Sequence, residues 1–142
     1  MSEAVRVEGL SKVYEGGVRA LKGVSLDVGV GEFVGVMGPS GSGKSTLLHI
    51  IAGLEKPTEG KVWVFGQDIT QMKEDELSAL RQKNIGFVFQ FYYLMEDFSA
   101  YENLLIIGRL ARIKDAEKKA REILEFLGLG HRLRHKPSEL SG

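Results

Sequence analysis

The stretch that decides the fold is residues 33–51, which reads FVGVMGPSGSGKSTLLHII in one-letter code. Residues 33–37 are almost continuously apolar, a pattern typical of a strand buried on both faces of a parallel sheet. Beyond the glycines, leucine and isoleucine recur at helical spacing, which predicts a helix that begins at Lys44. A glycine-rich loop therefore joins a predicted strand to a predicted helix.

The loop matches the pattern G-x-x-x-x-G-K-[ST], whose residue types each have a physical reason. Its glycines allow backbone conformations in which consecutive N–H groups converge on phosphate oxygens, and the following helix adds free N–H groups and a positive dipole end. Lys44 is predicted to neutralise charge on the β- and γ-phosphates, and the Ser45 hydroxyl to bind Mg²⁺, which prefers hard oxygen ligands. A chance glycine-rich turn is the alternative, and the flanking patterns disfavour it. The loop residues are Gly38, Pro39, Ser40, Gly41, Ser42, Gly43, Lys44 and Ser45.

The composition excludes several classes of function. With 142 residues, of which 43% are hydrophobic, one domain with a buried core is expected. The 19 Lys and Arg residues balance 19 Asp and Glu residues, so we expect no nucleic-acid partner. The absence of cysteine excludes disulfides, zinc–thiolate sites and thiol nucleophiles. No apolar run reaches the roughly 18 residues that span a bilayer, which predicts a soluble or peripheral protein.

Other patterns place further elements along the chain. Alternating or continuous apolar residues predict strands at 5–7, 24–28, 62–65 and 85–89. Polar residues 74–81 are expected to form a short helix. Ser99 and Glu102 form a capping box that opens a helix to about residue 113, and a second helix is expected from Asp115 to just before Gly128.

Several motifs in a fixed order make the chain resemble the ATP-binding subunits of ATP-binding-cassette transporters. A kinase or a small GTPase would share the phosphate loop but not the whole succession, which extends over the full chain. The motifs are Tyr14, the loop with Thr46, the run Pro57-Thr58-Glu59-Gly60, the pair Phe89-Gln90, and Leu140-Ser141-Gly142. Residues 85–92 and 100–103 are similar to the subfamily that serves lipoprotein release, macrolide-type export and the cell-division complex. Tyr93 and Glu96 depart from that pattern, since the subfamily more often has asparagine and proline there.

The resemblance implies a role for each matching residue, with ATP and Mg²⁺ as cofactors. Tyr14 would stack on the adenine ring, although a tyrosine at a strand end is by itself more often a packing residue. Gln90 would approach Mg²⁺ and the attacking water and would sense the membrane partner. Leu140, Ser141 and Gly142 would begin the signature motif, which binds ATP held by the opposite subunit.

The resemblance also implies a fold and partners. The expected class is α/β, with a P-loop NTPase-type three-layer core around a mixed sheet, an antiparallel β subdomain and a helical subdomain. Residues 1–142 would form one incomplete nucleotide-binding domain, with the β-rich core at 1–90 and the helical subdomain at 91–142. The implied partners are an integral membrane permease subunit and a second cassette subunit in a head-to-tail dimer, at the cytoplasmic face of the membrane. Residues 91–95 are either contact residues for the permease or part of the core.

The chain stops inside the signature motif, and the family's acidic strand, catalytic glutamate and switch histidine have no counterparts in it. We therefore assign no catalytic residue and expect the chain to bind nucleotide better than it hydrolyses it. Residues 33–37 would lack a neighbouring strand, which predicts poor solubility or reliance on a complementing segment. The alternative function is a non-catalytic nucleotide-binding module that regulates or caps an intact cassette ATPase.

Overall fold

The computed structural model describes residues 2–142, which form two compact units. The first unit ends at Phe87 and the second is Val88–Gly142. The strands of the first unit are β1 (Glu3–Val13), β2 (Arg19–Gly29), β3 (Glu59–Val64) and β4 (Gln67–Asp68), and its helices are α1 (Lys44–Ile51), a 3₁₀ turn (Ile69–Gln71) and α2 (Glu74–Asn84). The second unit contains α3 (Ala100–Leu110), α4 (Ala116–Phe126) and 3₁₀ turns at Gly130–Arg132 and Pro137–Glu139.

The four strands form one antiparallel sheet in the order β2-β1-β3-β4. In β1, Val7 lies opposite Leu26 of β2 on one side and Val62 of β3 on the other. Gly60 has a φ of +94°, and a Cβ there would lie 2.5 Å from the carbonyl oxygen of Gly9, so the two strands approach closely where β3 begins. The predicted strands at 5–7 and 24–28 are confirmed, and the one at 62–65 is confirmed as far as Val64, where β3 ends.

The core of the first unit lies between one face of the sheet and the helices α1 and α2. Apolar side chains from alternate strand positions meet the apolar stripe of each helix, as the periods of strand and helix require. This packing fixes the first turn of α1, which follows the glycine-rich loop, because Leu47 and Ile50 of that helix are buried. The buried residues of the cluster are Val7, Leu10, Leu21, Leu47, Ile50, Val62, Val64, Ile69, Leu77 and Leu80.

The predicted strands at 33–37 and 85–89 are wrong, because neither segment is a strand. Within residues 2–142, every paired strand belongs to the antiparallel sheet, and that sheet provides no neighbour for either segment. Phe33 is 98% exposed and Met37 93% exposed. A strand that is buried on both faces needs flanking strands to satisfy its N–H and C=O groups, and apolar composition alone does not supply them.

The second unit is built around the antiparallel pair α3 and α4. Arg109 Nη2 lies 2.9 Å from Glu117 Oε1, and Gly108 allows the backbone of Ala116 to approach. The predicted start of α3 is confirmed, whereas the helix ends at Leu110 rather than near residue 113. Left-handed backbone at Arg112, with a φ of +53°, turns the chain before α4 begins.

Every N–H group in the first turn of α3 has an acceptor. Glu102 N donates to Ser99 Oγ at 3.1 Å, and the Glu102 carboxylate accepts from Ser99 N at 2.8 Å. This reciprocal pair is the predicted capping box. Ala100 N donates to the His135 carbonyl oxygen at 2.8 Å, and Tyr101 N donates to that of Leu133 at 3.0 Å. The chain itself therefore closes this helix terminus.

Among residues 2–142, none of the helices combines the length and apolar character needed to cross a membrane.

Candidate functional site

The glycine-rich loop is held against the start of β2. Gly41 and Gly43 have φ values of +80° and +93°, which lie in the left-handed region. A Cβ at Gly43 would lie 2.4 Å from the carbonyl oxygen of Ala20 and 2.9 Å from Leu21 Cδ2. Position 43 therefore excludes every side chain on two separate grounds, conformation and space.

The ammonium group of Lys44 lies across the loop. Its Nζ donates to the carbonyl oxygens of Gly38 at 2.6 Å and Pro39 at 2.7 Å, and it lies 3.2 Å from Ser42 Oγ. Ser42 Oγ in turn donates to the Pro39 carbonyl at 2.6 Å. Because these partners are neutral, the positive charge of Lys44 is positioned but not neutralised, and it can attract an anion to the loop.

The start of α1 differs from the start of α3. Its N-cap is Gly43, which has no side chain to accept a hydrogen bond, and its first turn contains no acidic residue. The N–H groups of this turn and the positive end of the helix dipole therefore favour a bound anion. Together with Lys44, this arrangement provides what a phosphate chain requires.

A magnesium ion fits the donor set at this end of α1. Ser45 lies in the first turn with an exposed side chain. A hydroxyl oxygen is a hard ligand, and Mg²⁺ takes its remaining positions from phosphate oxygens and water when it binds beside a nucleotide. Residues 2–142 contain no group of three or more histidine, aspartate or glutamate side chains that could hold a metal ion by themselves.

Tyr14 is held close to α1 through its hydroxyl group. Tyr14 Oη lies 3.0 Å from Glu55 Oε2 and 3.1 Å from Thr46 Oγ1. A phenol has one proton, so Tyr14 donates to the carboxylate and accepts from Thr46. The bond from Thr46 by itself lowers the pKa of Tyr14, whereas burial and the Glu55 carboxylate raise it, and the pKa lies above its usual value. The structure thus brings Tyr14 and the phosphate-loop helix together.

Two charged residues make contacts around Tyr14 that the sequence patterns did not indicate. Lys12 Nζ lies 5.2 Å from the centre of the Tyr14 ring and 3.5 Å from Glu55 Oε1. It also donates to the Lys56 carbonyl oxygen at 2.7 Å. Lys12 and Glu55 lie 43 positions apart in the chain, so no local pattern predicts that they pair.

Thr58 joins the end of β1 to the segment that follows α1. Val13 N donates to Thr58 Oγ1 at 2.9 Å, and Thr58 N donates to the Ser11 carbonyl at 2.9 Å. Thr58 belongs to the motif at 57–60, which indicates the family in the sequence analysis. The motif does not predict the contact of Thr58 with β1. The junction fixes the strand end that carries Tyr14.

Gln90 and residues 140–142 belong to the second unit, whereas Tyr14 and the phosphate loop belong to the first. Gln90 is exposed and follows residues 85–89, which do not form a strand. A Cβ at Gly142 would lie 2.6 Å from Tyr92 Oη, so the backbone at Gly142 lies beside that hydroxyl group. The functions assigned to Gln90 and to residues 140–142 stay predictions.

The segment at 91–95 is exposed, with its last residue fixed by Asn103. Phe91, Tyr92 and Tyr93 are 67%, 68% and 74% exposed. The buried Asn103 side chain accepts from Met95 N at 2.8 Å and donates to the Met95 carbonyl at 3.1 Å. These aromatic side chains are not part of a core in the second unit. The sequence showed Asn103 as a motif residue without indicating this function.

Comparisons with known proteins agree on the family. The model of the family described as ABC transporter matches residues 21–142. The lipoprotein-releasing system ATP-binding protein LolD of Bacteroides thetaiotaomicron is 48% identical over 140 residues, which are 97% of this chain and 64% of that protein. The LolD protein of Aquifex aeolicus is 47% identical over 146 residues, with 100% and 64% coverage.

A solved structure confirms the fold. The dimeric structure of an ATP-binding cassette in a post-hydrolysis state, bound to ADP and Pi, superposes with a TM-score of 0.89 at 39% identity. It covers 96% of this chain, and the chain covers 63% of it. The predicted α/β cassette class is confirmed, and the chain spans about two thirds of the length of the curated relatives it matches.

Proposed function

The chain belongs to the ABC transporter family, and from this premise we propose that it is the ATP-binding part of a transport ATPase subunit, with MgATP bound on the loop at 38–45. The observation that carries the proposal is the open N-terminus of α1 with Lys44 fixed beside it by two carbonyl oxygens. Both favour a polyanion, and neither depends on a residue outside the first unit.

Each proposed site residue of the first unit would have its own function in binding. The N–H groups that follow Gly41 bind phosphate oxygens, and Lys44 neutralises the β- and γ-phosphates. Ser45 would supply the protein oxygen for Mg²⁺, which would offset the charge of the phosphates when bound. Tyr14, which is 37% exposed, stacks its ring on adenine, while Thr46 holds its hydroxyl. Support for the remaining loop residues, Pro39, Ser40 and Ser42, comes from their place in the motif.

In the second unit, we propose that Gln90 contacts Mg²⁺ and the attacking water. Leu140, Ser141 and Gly142 would contact the nucleotide of a second cassette subunit. The dimer of the solved cassette supports such a pairing. We assign no catalytic residue to these 142 residues, and in the complete protein ATP hydrolysis would drive a membrane subunit.

We further propose that residues 1–90 act as the ATP-binding core and 91–142 as the helical subdomain of one nucleotide-binding domain. Its membrane partner would be a permease subunit at the cytoplasmic face of the membrane, contacted through the exposed aromatic segment 91–95. The names of the relatives, which are lipoprotein-releasing ATP-binding proteins, support a transporter of that group.

The test is an isothermal calorimetric titration of the chain with ATP in the presence of Mg²⁺. Lys44→Ala should weaken binding by about 10- to 100-fold, since it removes a charge-assisted contact worth about 1.5–3 kcal/mol. Lys61→Ala, on the exposed side of β3, is the matched control and should leave the dissociation constant unchanged.

Equal binding by the wild-type and Lys44→Ala chains would contradict the proposal. Phosphate release by the wild-type chain should not exceed that of Lys44→Ala, because the groups that position water are expected outside these residues. Mg²⁺-dependent turnover that the substitution abolishes would show that the chain is itself a catalyst.

A further inference from the structure

We propose that Glu55 is a positioning residue for the nucleotide base, because it holds the Tyr14 ring in the orientation that receives adenine. This inference rests on the proposed function, since it concerns how the same site recognises the base. Glu55 lies just after α1 and accepts the Tyr14 hydroxyl proton at 3.0 Å.

The hydroxyl of Tyr14 has two fixed partners. Thr46 donates to it and Glu55 accepts from it, so both directions of its hydrogen bonding are occupied. Two bonds to one end of a ring, together with the backbone at the other end, leave the ring plane little freedom. A ring ordered before binding loses less conformational entropy when a base stacks on it.

The carboxylate of Glu55 is itself held in place. Its side chain is 24% exposed, and Lys12, which is 17% exposed, lies 3.5 Å away. Lys12 is anchored by the Lys56 carbonyl at 2.7 Å, and its ammonium lies 5.2 Å from the centre of the Tyr14 ring. A charged acceptor makes a stronger hydrogen bond than a neutral one. Glu55 is thus the central group of a network that includes the ring.

The contacts that hold the Tyr14 ring are separate from the contacts that hold Lys44 at the phosphate loop. Glu55 makes its bonds with Tyr14 and Lys12, whereas Lys44 makes its bonds with the carbonyl oxygens of Gly38 and Pro39. Loss of the Glu55 carboxylate should therefore release the ring without altering the contacts of Lys44. The effect should be seen with ATP and not with a ligand that lacks a base.

The experiment compares ATP with inorganic triphosphate, each titrated into the chain in the presence of Mg²⁺. Glu55→Ala should weaken ATP binding about three- to tenfold, the effect expected from one side chain that must be ordered on binding. Binding of triphosphate should be unchanged. Glu55→Gln retains an acceptor oxygen and should recover part of the loss.

Tyr14→Phe removes only the hydroxyl and serves where Glu55→Ala destabilises the fold. It removes the bonds to both Glu55 and Thr46, so its loss for ATP should be at least that of Glu55→Ala. The double variant should lose no more than Tyr14→Phe alone, because both changes break the bond between Tyr14 and Glu55. Glu15→Gln is the control for charge, since it removes a neighbouring carboxylate, and it should have no effect.

Equal weakening of ATP and triphosphate by Glu55→Ala, or additive losses in the double variant, would overturn the positioning role and leave the proposed function intact. A wild-type chain that binds triphosphate but not ATP would overturn the assignment of Tyr14 to the base. A wild-type chain that binds neither would overturn the proposed function as well.

Discussion

At the scale of single residues, Gly43 should be the least replaceable position of the loop. Gly43→Ala places a Cβ 2.4 Å from the Ala20 carbonyl oxygen in a backbone with a φ of +93°. The left-handed conformation alone costs about 1–2 kcal/mol for a residue with a side chain, and the clash forces the loop away from β2. We expect a lower unfolding midpoint in urea and loss of ATP binding.

Gly41→Ala separates the cost of the left-handed backbone conformation from the cost of a steric clash. Gly41 has a φ of +80°, but a Cβ there would meet nothing within 4 Å. Its substitution should therefore cost about 1–2 kcal/mol from the backbone alone. Equal destabilisation by the two substitutions would show that the contact with β2 does not constrain the loop.

The ionisation of Tyr14 provides a second prediction at this scale. The bond from Thr46 favours the phenolate, but burial and the Glu55 carboxylate oppose it more strongly, so the pKa of Tyr14 is raised above 10.0. Because the native pKa exceeds the unfolded one, this group stabilises the fold below the unfolded pKa. The contribution disappears as pH rises through the native pKa.

The ultraviolet absorbance of tyrosinate measures this directly, as the difference between the wild-type chain and Tyr14→Phe during a pH titration. Glu55→Gln should lower the pKa of Tyr14, since it removes the negative charge beside the hydroxyl. A Tyr14 that ionises at or below 10.0 in the folded chain would contradict the hydrogen-bond network.

At the scale of elements, Asn103 connects α3 to the segment that precedes it. Its side chain bonds to both main-chain groups of Met95 and donates to the carbonyl oxygens of Phe98 and Ser99 at 3.1 and 3.0 Å. Asn103→Ala removes the acceptor of Met95 N and the donor to the Phe98 carbonyl oxygen, and should destabilise the second unit by about 1–3 kcal/mol. Chemical unfolding gives the free energy, and hydrogen exchange at the Met95 amide locates the opening.

Asn84→Ala is the matched control, because Asn84 donates only to the Leu80 carbonyl of its own helix at 3.2 Å. Its effect should stay within about 0.5 kcal/mol, as for most surface substitutions. If both variants lose the same stability, the Asn103 bonds do not hold the segment.

The elements that sequence predicted well are those with local causes. The capping box at Ser99 depends on residues three apart, and the helix from Lys44 depends on a single apolar stripe. The segments at 33–37 and 85–89 have strand-like composition, but strands also need neighbours. Within residues 2–142 the sheet provides none for them, so composition and structure differ there.

In the candidate site, too, sequence predicted the features with local causes and missed the contacts between distant residues. Its loop follows a contiguous motif, and each loop glycine was predicted from that motif. Glu55 and Lys12 act through contacts between β1 and the segment after α1, and such contacts have no local signature. Family resemblance indicated Tyr14 and not the groups that hold it.

At the scale of the whole molecule, exposed apolar side chains near the phosphate loop should make the chain associate. Phe33 and Met37 are 98% and 93% exposed, in a segment that is outside the sheet. Exposed apolar segments of this kind favour pairing with other chains. Sedimentation should show oligomers whose size grows with concentration. Phe33→Lys should reduce the size of these oligomers.

Val18→Lys is the control for added charge, because Val18 is an isolated exposed residue in the turn after β1. It should change the oligomer distribution less than Phe33→Lys. A monomeric wild-type chain with one cooperative melting transition would contradict this prediction.

The different starts of α1 and α3 mean that ligand binding and folding would be thermodynamically linked in the first unit. In α3 the chain supplies its own cap through Ser99, a contribution of about 1 kcal/mol that is always present. In α1 that position is Gly43, so a bound phosphate would itself act as the missing N-cap. At a concentration 100 times its Kd, such a ligand adds about 2.7 kcal/mol to the stability of the folded state. The nucleotide would then be a structural component of the helix that binds it.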